Sequence, residues 1–291
     1  FHDLSTSMTD VGVLENLKVW LDARKNCFSE KARTYGLPQP RGLFLLGVQG
    51  CGKSLTAKAV ADLWKVPLLR IDVGALVLGE AAAEEGLHRA IRIAESMAPV
   101  ILWVDEIEKA FAGVSEGAGD SGSAARVFGN FITWLQEKKS PVFVVATGND
   151  VRNLPPELLR KGRFDEIFWV DLPDIHERET IFGIHIQKAN RNPADFDCWE
   201  LAETAERFSG AEIEQAVVEA MFQAFAEDRE VETLDILRAI RQTVPLARTM
   251  DQRIKELKEW ARDRTRPATY DTRRIDFFRN WEAASAANEA D

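Results

Sequence analysis

Gly42-Leu43-Phe44-Leu45-Leu46-Gly47-Val48-Gln49-Gly50-Cys51-Gly52-Lys53-Ser54 is the stretch on which the reading of the fold turns. Leu43–Leu46 is an apolar run that reads as a buried strand, and the pattern from Leu55 to Trp64 reads as a helix. Between them, Gly47–Ser54 has the G-x-x-x-x-G-K-[ST] spacing of a phosphate-binding loop. Gly47, Gly50 and Gly52 let successive backbone N–H groups turn towards one anion, and the helix N-terminus adds positive potential. Lys53 is long enough to reach β- and γ-phosphates, and the Ser54 hydroxyl is a ligand for Mg²⁺. Gln49, Cys51 and Leu55 complete the cradle. The competing reading, a glycine-rich turn that binds nothing, leaves the strand before it and the helix after it unexplained.

The 291 residues suffice for a sizeable core and more than one unit. A formal net charge of -10 argues against nucleic acid as the main partner. Cys27, Cys51 and Cys198 lack metal or disulfide spacing, which points to a reducing compartment. Cys51 reads as a small residue that fits its loop rather than a redox sensor. His176 and His185 read as surface or packing residues of a helix. No apolar run approaches the roughly 18–20 residues that span a bilayer. The chain opens on Phe1 without a signal peptide, and an upstream region is expected.

Outward from the loop, Leu14, Leu17, Leu21 and Phe28 mark one face of a helix expected to run to about Tyr35. Val100-Ile101-Leu102-Trp103-Val104 reads as a strand buried on both faces and ends in Asp105-Glu106. Carboxylates at the C-terminal end of such a strand lie beside the crevice where open α/β sheets bind ligands. There Asp105 would orient Mg²⁺ through its water shell and Glu106 would polarise an attacking water. Gly113–Ser123 reads as a surface loop. The strand Pro141–Ala146 leads to Asn149, placed either to hold that water or touch the γ-phosphate, or simply to make a turn. Arg160 and Arg163 bracket Gly162. They suit a surface that meets phosphate on another molecule, or else they are solvated charge. Helices follow from Ile175, with Ser209 as an N-cap. Another helix is expected over Thr249–Trp260, and the Arg-rich stretch Arg262–Arg274 reads as weakly structured.

In this order and spacing the motifs resemble the AAA+ ATPases over about residues 9–248. The resemblance casts Gly47–Ser54 as Walker A and Val100–Glu106 as Walker B, with Asn149 as sensor 1. It makes Arg160 and Arg163 arginine fingers acting on a neighbour's nucleotide. Asp10-Val11-Gly12 then cradles adenine, and Gly210-Ala211 is the lid turn near the adenosine. The wording of Gly47–Lys58, Trp103–Phe111 and Arg126–Trp134 is similar to the Ycf-type AAA ATPases (plastid hypothetical reading frame forty-six) of cyanobacteria, plastids and other bacteria. Those proteins carry an additional N-terminal region.

The implied fold is a P-loop α/β core over residues 1–172 with a parallel five-stranded sheet flanked by helices. A small helical lid over 173–248 and a C-terminal helix and tail over 249–291 follow. ATP and Mg²⁺ are the implied cofactors. Sharing arginines between subunits implies a head-to-tail ring, a homohexamer, acting on an unidentified protein client. The runner-up is a nucleotide-gated assembly module in which hydrolysis is a timer. A nucleic-acid motor is disfavoured by the acidic balance, although Arg262–Arg274 offers a local contact. The expected location is the cytoplasm, or the stroma for a plastid-encoded chain. Cys51 stands where the family usually has threonine, and Ser54 where threonine is commoner. Val77-Leu78-Gly79-Glu80-Ala81-Ala82-Ala83 lacks the aromatic residue of the family's pore loop, which leaves threading of a client open.

Overall fold

In the computed structural model, β1 (Gly42–Gly47) lies inside a six-stranded sheet. The structure describes residues 12, 14–71, 80–111, 121–152, 154–160 and 162–270, with the backbone alone for 80–83, 110–111 and 121–128. The strand order is β2 (Leu68–Ile71), β3 (Val100–Val104), β4 (Val142–Gly148), β1, β5 (Glu166–Val170) and β6 (Arg266–Pro267). Every pairing is parallel. A parallel sheet has to be covered on both faces, and successive side chains of β1 divide accordingly.

Leu43 and Leu45 pack with α1 (Glu15–Asp22) and α3 (Lys53–Trp64) through Leu17, Leu21, Ala57 and Val60. Phe44 and Leu46 face the other way, towards α4 (Glu80–Ser96) and α5 (Ser121–Glu137), through Leu87, Ile91, Phe131 and Leu135. Trp20 sits edge-on to Phe168 at 5.7 Å between ring centroids, an arrangement favoured by the ring quadrupoles.

The helix expected to run to Tyr35 is two helices. It stops at Asp22 and resumes as α2 (Glu30–Tyr35), because the Ser29 side chain accepts the Ala32 N–H and starts a new N-terminus. The segment expected around Gly113–Ser123 lies mostly outside the described residues, and α5 begins at Ser121.

Beyond β5 comes the helical unit: α6 (Ile175–Lys188), α7 (Cys198–Thr204), α8 (Gly210–Ala226) and α9 (Thr233–Gln242). It has its own core, including Phe182, Leu201, Ile213 and Ile236. The helices α6 and α8 begin with capping boxes, Asp174 with Glu177 and Ser209 with Glu212, which satisfy orphan N–H groups of the first turn.

The sheet has six strands rather than the expected five, and the sixth comes from the stretch expected to be weakly structured. After α10 (Leu246–Thr249) and α11 (Asp251–Ala261) the chain returns to the α/β core. Leu257 and Ala261 join the Phe44 side of the core, and Arg266-Pro267 extends the sheet beyond β5. The Ala268 N–H then donates to Trp169 O at 2.8 Å. Two residues carry no readable periodicity, which is why a strand this short is invisible in the sequence.

Candidate nucleotide-binding site

Because β1, β3 and β4 are parallel, their C-terminal ends meet at one edge, where they present Gly47, Asp105-Glu106 and Asn149. A cleft of about 450 Å³ opens there between the sheet edge and the helical unit. Gln49, Gly50, Cys51, Gly52, Lys53, Ser54 and Leu55 line it together with Asp105, Glu106, Asn149, Gly210, Ala211 and Gly12. The sequence-predicted residues on five separate stretches thus converge on one cavity. Asp10 lies outside the described residues. Gly47 packs behind the loop: a Cβ there would sit 1.9 Å from Val170 O, so only glycine lets β1 turn away beside β5.

The loop holds its lysine inward. Lys53 Nζ donates to Gly47 O at 3.0 Å and Val48 O at 2.6 Å, and burial lowers its pKa to about 8. A desolvated cation inside a ring of backbone amides favours an anion that restores its charge balance. Burial pushes the Cys51 thiol up to about 12, so it is an inert packing residue, as its sequence context suggests. Gly50 has φ +78°, and a Cβ on it would lie 2.8 Å from Ser209 Oγ. Its carbonyl accepts the Ala211 N–H at 3.0 Å, which fastens the start of α8 to the loop.

The carboxylates are held in a polar network. Ser54 Oγ donates to Asp105 Oδ1 at 3.1 Å, and Arg70 Nη2 lies 3.0 Å from Asp105 Oδ2. Thr147 Oγ1 donates to Asp105 Oδ1 at 2.7 Å and accepts the Glu106 N–H at 2.9 Å. Glu106 sits at φ +49°, a left-handed conformation uncommon for this residue, which lifts its side chain out of the strand line. Asn149 Nδ2 donates to Glu106 Oε1 at 3.2 Å, and Lys109 Nζ pairs with Glu106 Oε2. Behind them the Asn149 N–H donates to Glu108 Oε1 at 2.9 Å, and burial raises the Glu108 carboxyl. Burial alone would raise Asp150 as well, but Arg152 and Arg253 hold it at about 2.

Comparison with known proteins agrees with this geometry. The model of the ATPase family associated with various cellular activities (AAA) matches residues 43–172, and that of the AAA+ lid domain matches residues 195–241. The chain belongs to the AAA ATPase family. This AAA chain is 52% identical over 265 residues to an uncharacterized AAA domain-containing protein ycf46 of Pyropia yezoensis, covering 90% of this chain and 54% of that protein. A ycf46 protein of Guillardia theta is likewise 52% identical, over 90% of this chain and 52% of its own length. A proteasome-activating nucleotidase of Aeropyrum pernix is 35% identical over 72% of this chain and 52% of its own length. The chain therefore spans about half the length of the curated relatives it matches.

Two AAA positions read from the sequence stand apart from the cleft. Arg160 is exposed and Arg163 half-buried, with its Nε buried and without a hydrogen-bond partner among the described residues. Both precede β5, whose Glu166 is paired with Leu43 near the start of β1, whereas the phosphate loop follows the end of β1. At about 3.3 Å per residue the two ends of the strand are roughly 15 Å apart. The segment is fixed there because Asp165 Oδ2 accepts the N–H groups of Arg41 and Gly42 at 2.7 and 2.9 Å.

Other residues of the site are not evident from motifs. His185, expected on the surface or in packing, lines the cleft with Glu177, Ile181 and Glu214. Thr147, Arg70 and Lys109 make side-chain contacts to the carboxylate pair. Among the described residues no group of three or more His, Cys, Asp or Glu could hold a metal ion. Ser54 and Asp105 instead offer two hard oxygen donors beside the phosphate loop, the sparse protein contribution that Mg²⁺ accepts when phosphates supply the rest. Among the same residues no helix is long and apolar enough to cross a membrane.

Proposed function

We propose that this chain is an Mg²⁺-dependent ATPase that works at the subunit interfaces of a ring to remodel or regulate a protein partner. The observation that carries this reading is the Glu106–Asn149 hydrogen bond beside the Ser54–Asp105 pair, all opening on one phosphate loop. Lys53 and the loop amides would hold the β- and γ-phosphates. Ser54 and Asp105 would hold Mg²⁺, which when bound neutralises phosphate charge. Glu106 would take the proton of the attacking water while Asn149 orients both carboxylate and water. Gly12, Gly210 and Ala211 would surround the nucleoside end.

Arg160 and Arg163 precede β5, near the end of β1 opposite their own phosphate loop, which suits delivery to a neighbouring copy. Such in-trans arginines contribute about 10³–10⁵ in rate in related phosphoryl transfers. A head-to-tail contact that closes on itself makes a ring, and the proposed form is a homohexamer. The relatives named as proteasome-activating nucleotidases support an action on protein rather than nucleic acid.

One observation favours a slower, timer-like use of hydrolysis to gate assembly. The Lys109–Glu106 ion pair occupies the base and must open before it can act. Glu106→Gln separates binding from chemistry. It should bind ATP with near wild-type affinity, lose about 10²–10⁴-fold in turnover, and accumulate as the ATP-bound assembly. Turnover within threefold of wild type would remove Glu106 as the base.

A further inference from the structure

The cleft has a wall that neither the phosphate loop nor the lid accounts for. Thr269, at the end of the returning C-terminal segment, lines the same cavity as Gly12, Leu14, Ile181 and His185, on the side away from the carboxylates. Its position is set by contacts 251 and 253 residues apart in the chain. Asn16 is buried at the start of α1, and its Nδ2 donates to Pro267 O at 3.2 Å and to Thr269 O at 3.0 Å. The Leu17 N–H, an orphan donor of the first helical turn, donates to Ala268 O at 3.1 Å. Ala268 is only 1% exposed and belongs to the core cluster of Leu17 and Phe168. The strand therefore plugs the N-terminus of α1, and the residues that enter α1, Gly12 and Leu14, form the neighbouring wall.

We propose that β6 and Thr269 form the third wall of the nucleotide pocket, with Thr269 facing the nucleoside and Asn16 as the positioning residue that seats it. This rests on the reading of the cleft as an adenine-nucleotide site. A wall built from both ends of the described chain has a thermodynamic corollary. A nucleotide that touches Thr269 binds only when the strand is seated, so occupancy stabilises the seated strand by the same factor that seating strengthens binding. β6 lies beyond β5, while β3, which leads to Asp105-Glu106, lies on the other side of β1, so this wall is set apart from the carboxylate end.

Calorimetric ADP binding, steady-state ATPase kinetics and amide exchange of residues 266–269 test the proposal on the full chain. In the wild type, saturating ADP should slow exchange at the Ala268 amide. Asn16→Asp removes the double donor and sets a carboxylate against two carbonyls. It should speed that exchange, weaken ADP about five- to tenfold, the scale of one net hydrogen bond, and raise KM for ATP alike while kcat stays put. Thr269→Ala should weaken ADP about two- to fivefold, with Thr269→Ser restoring it; this half-buried position serves if Asn16→Asp does not fold. ADP affinity within twofold of wild type in Thr269→Ala, or in an Asn16→Asp protein whose strand exchanges freely, would overturn the proposal. A fall in kcat without a change in KM would do the same. If the wild type bound no ADP at all, the adenine-nucleotide reading itself would have failed.

Discussion

Thr147→Val replaces one buried hydroxyl with a methyl of nearly the same volume, and that hydroxyl is where the two carboxylates are coordinated with each other. Thr147 is 1% exposed; its Oγ1 donates to Asp105 Oδ1 and receives the Glu106 N–H. The two losses differ in size. Asp105 keeps Ser54 and Arg70 as partners, so its lost bond costs about 1 kcal/mol, the net value of an ordinary bond. Among the described residues the Glu106 N–H has no second acceptor, and an unsatisfied donor in this setting costs about 1–3 kcal/mol. The expected destabilisation is therefore about 2–4 kcal/mol. Thr147→Ser, which keeps the hydroxyl and loses a methyl, should cost only about 1 kcal/mol.

Urea unfolding followed by tryptophan fluorescence compares the two variants. At equal m-value, the difference in midpoint is the difference in stability. The left-handed backbone at Glu106 is held by this bond, so ATP turnover should fall about tenfold or more in Thr147→Val while ADP affinity is unchanged. If Val and Ser came within 1 kcal/mol of each other, or turned over ATP equally fast, the hydroxyl would not be organising the carboxylates.

Arg160→Ala should leave ADP binding intact and lower turnover by about 10²-fold or more, and mixing it with Glu106→Gln should recover part of the activity. Additive, unrecovered losses in the mixture would argue for action within one subunit. Burial raises the Glu177 carboxyl to about 7 from an ordinary 4.5, so the folded state binds that proton more tightly than the unfolded chain. Its contribution is thus fully present below about pH 4.5 and lost as pH rises through 7. Glu177→Gln, which still accepts the Asp174 N–H, should flatten that slope and be the more stable protein at pH 8; a slope equal to wild type would assign the titration elsewhere. Gly47→Ala puts a methyl against Val170 O and should cost about 3 kcal/mol or more, read as a lowered melting temperature. A melting temperature equal to wild type would mean that β5 yields at that contact.

What the sequence discloses here is chemistry carried by neighbours in the chain. Gly47–Ser54 and Asp105-Glu106 are local patterns whose residue types are dictated by the anion they serve, and the apolar runs beside them mark buried parallel strands. Asn149 was legible once a strand could be laid before it. Thr147 was not, because its role depends on the register of β4 against β3, where Ala146 pairs with Val104. Arg70 looks like ordinary solvated charge until the sheet brings it to Asp105, and Lys109 until the turn over Ile107–Phe111 folds it back on Glu106. Asn16 and Thr269 are a partnership across almost the whole chain, and neither residue type advertises it. The break between α1 and α2 was hidden for a different reason: apolar spacing continues through Phe28, while the Ser29 cap that ends the continuity is a single residue.

The bond from the Ala211 N–H to Gly50 O has a mechanical consequence. It joins the tightest turn of the phosphate loop to the first turn of α8, a rod of 17 residues. At 1.5 Å per residue the rod is about 25 Å long, so a tilt of about 10° at Gly50 carries Ala226 through about 4 Å. The far end of that rod bears Phe222 and Phe225, exposed at 67% and 80%. Because α8 is packed in the core of the helical unit, a tilt of that size would have to carry the whole unit, and the exposed Phe222 and Phe225 with it.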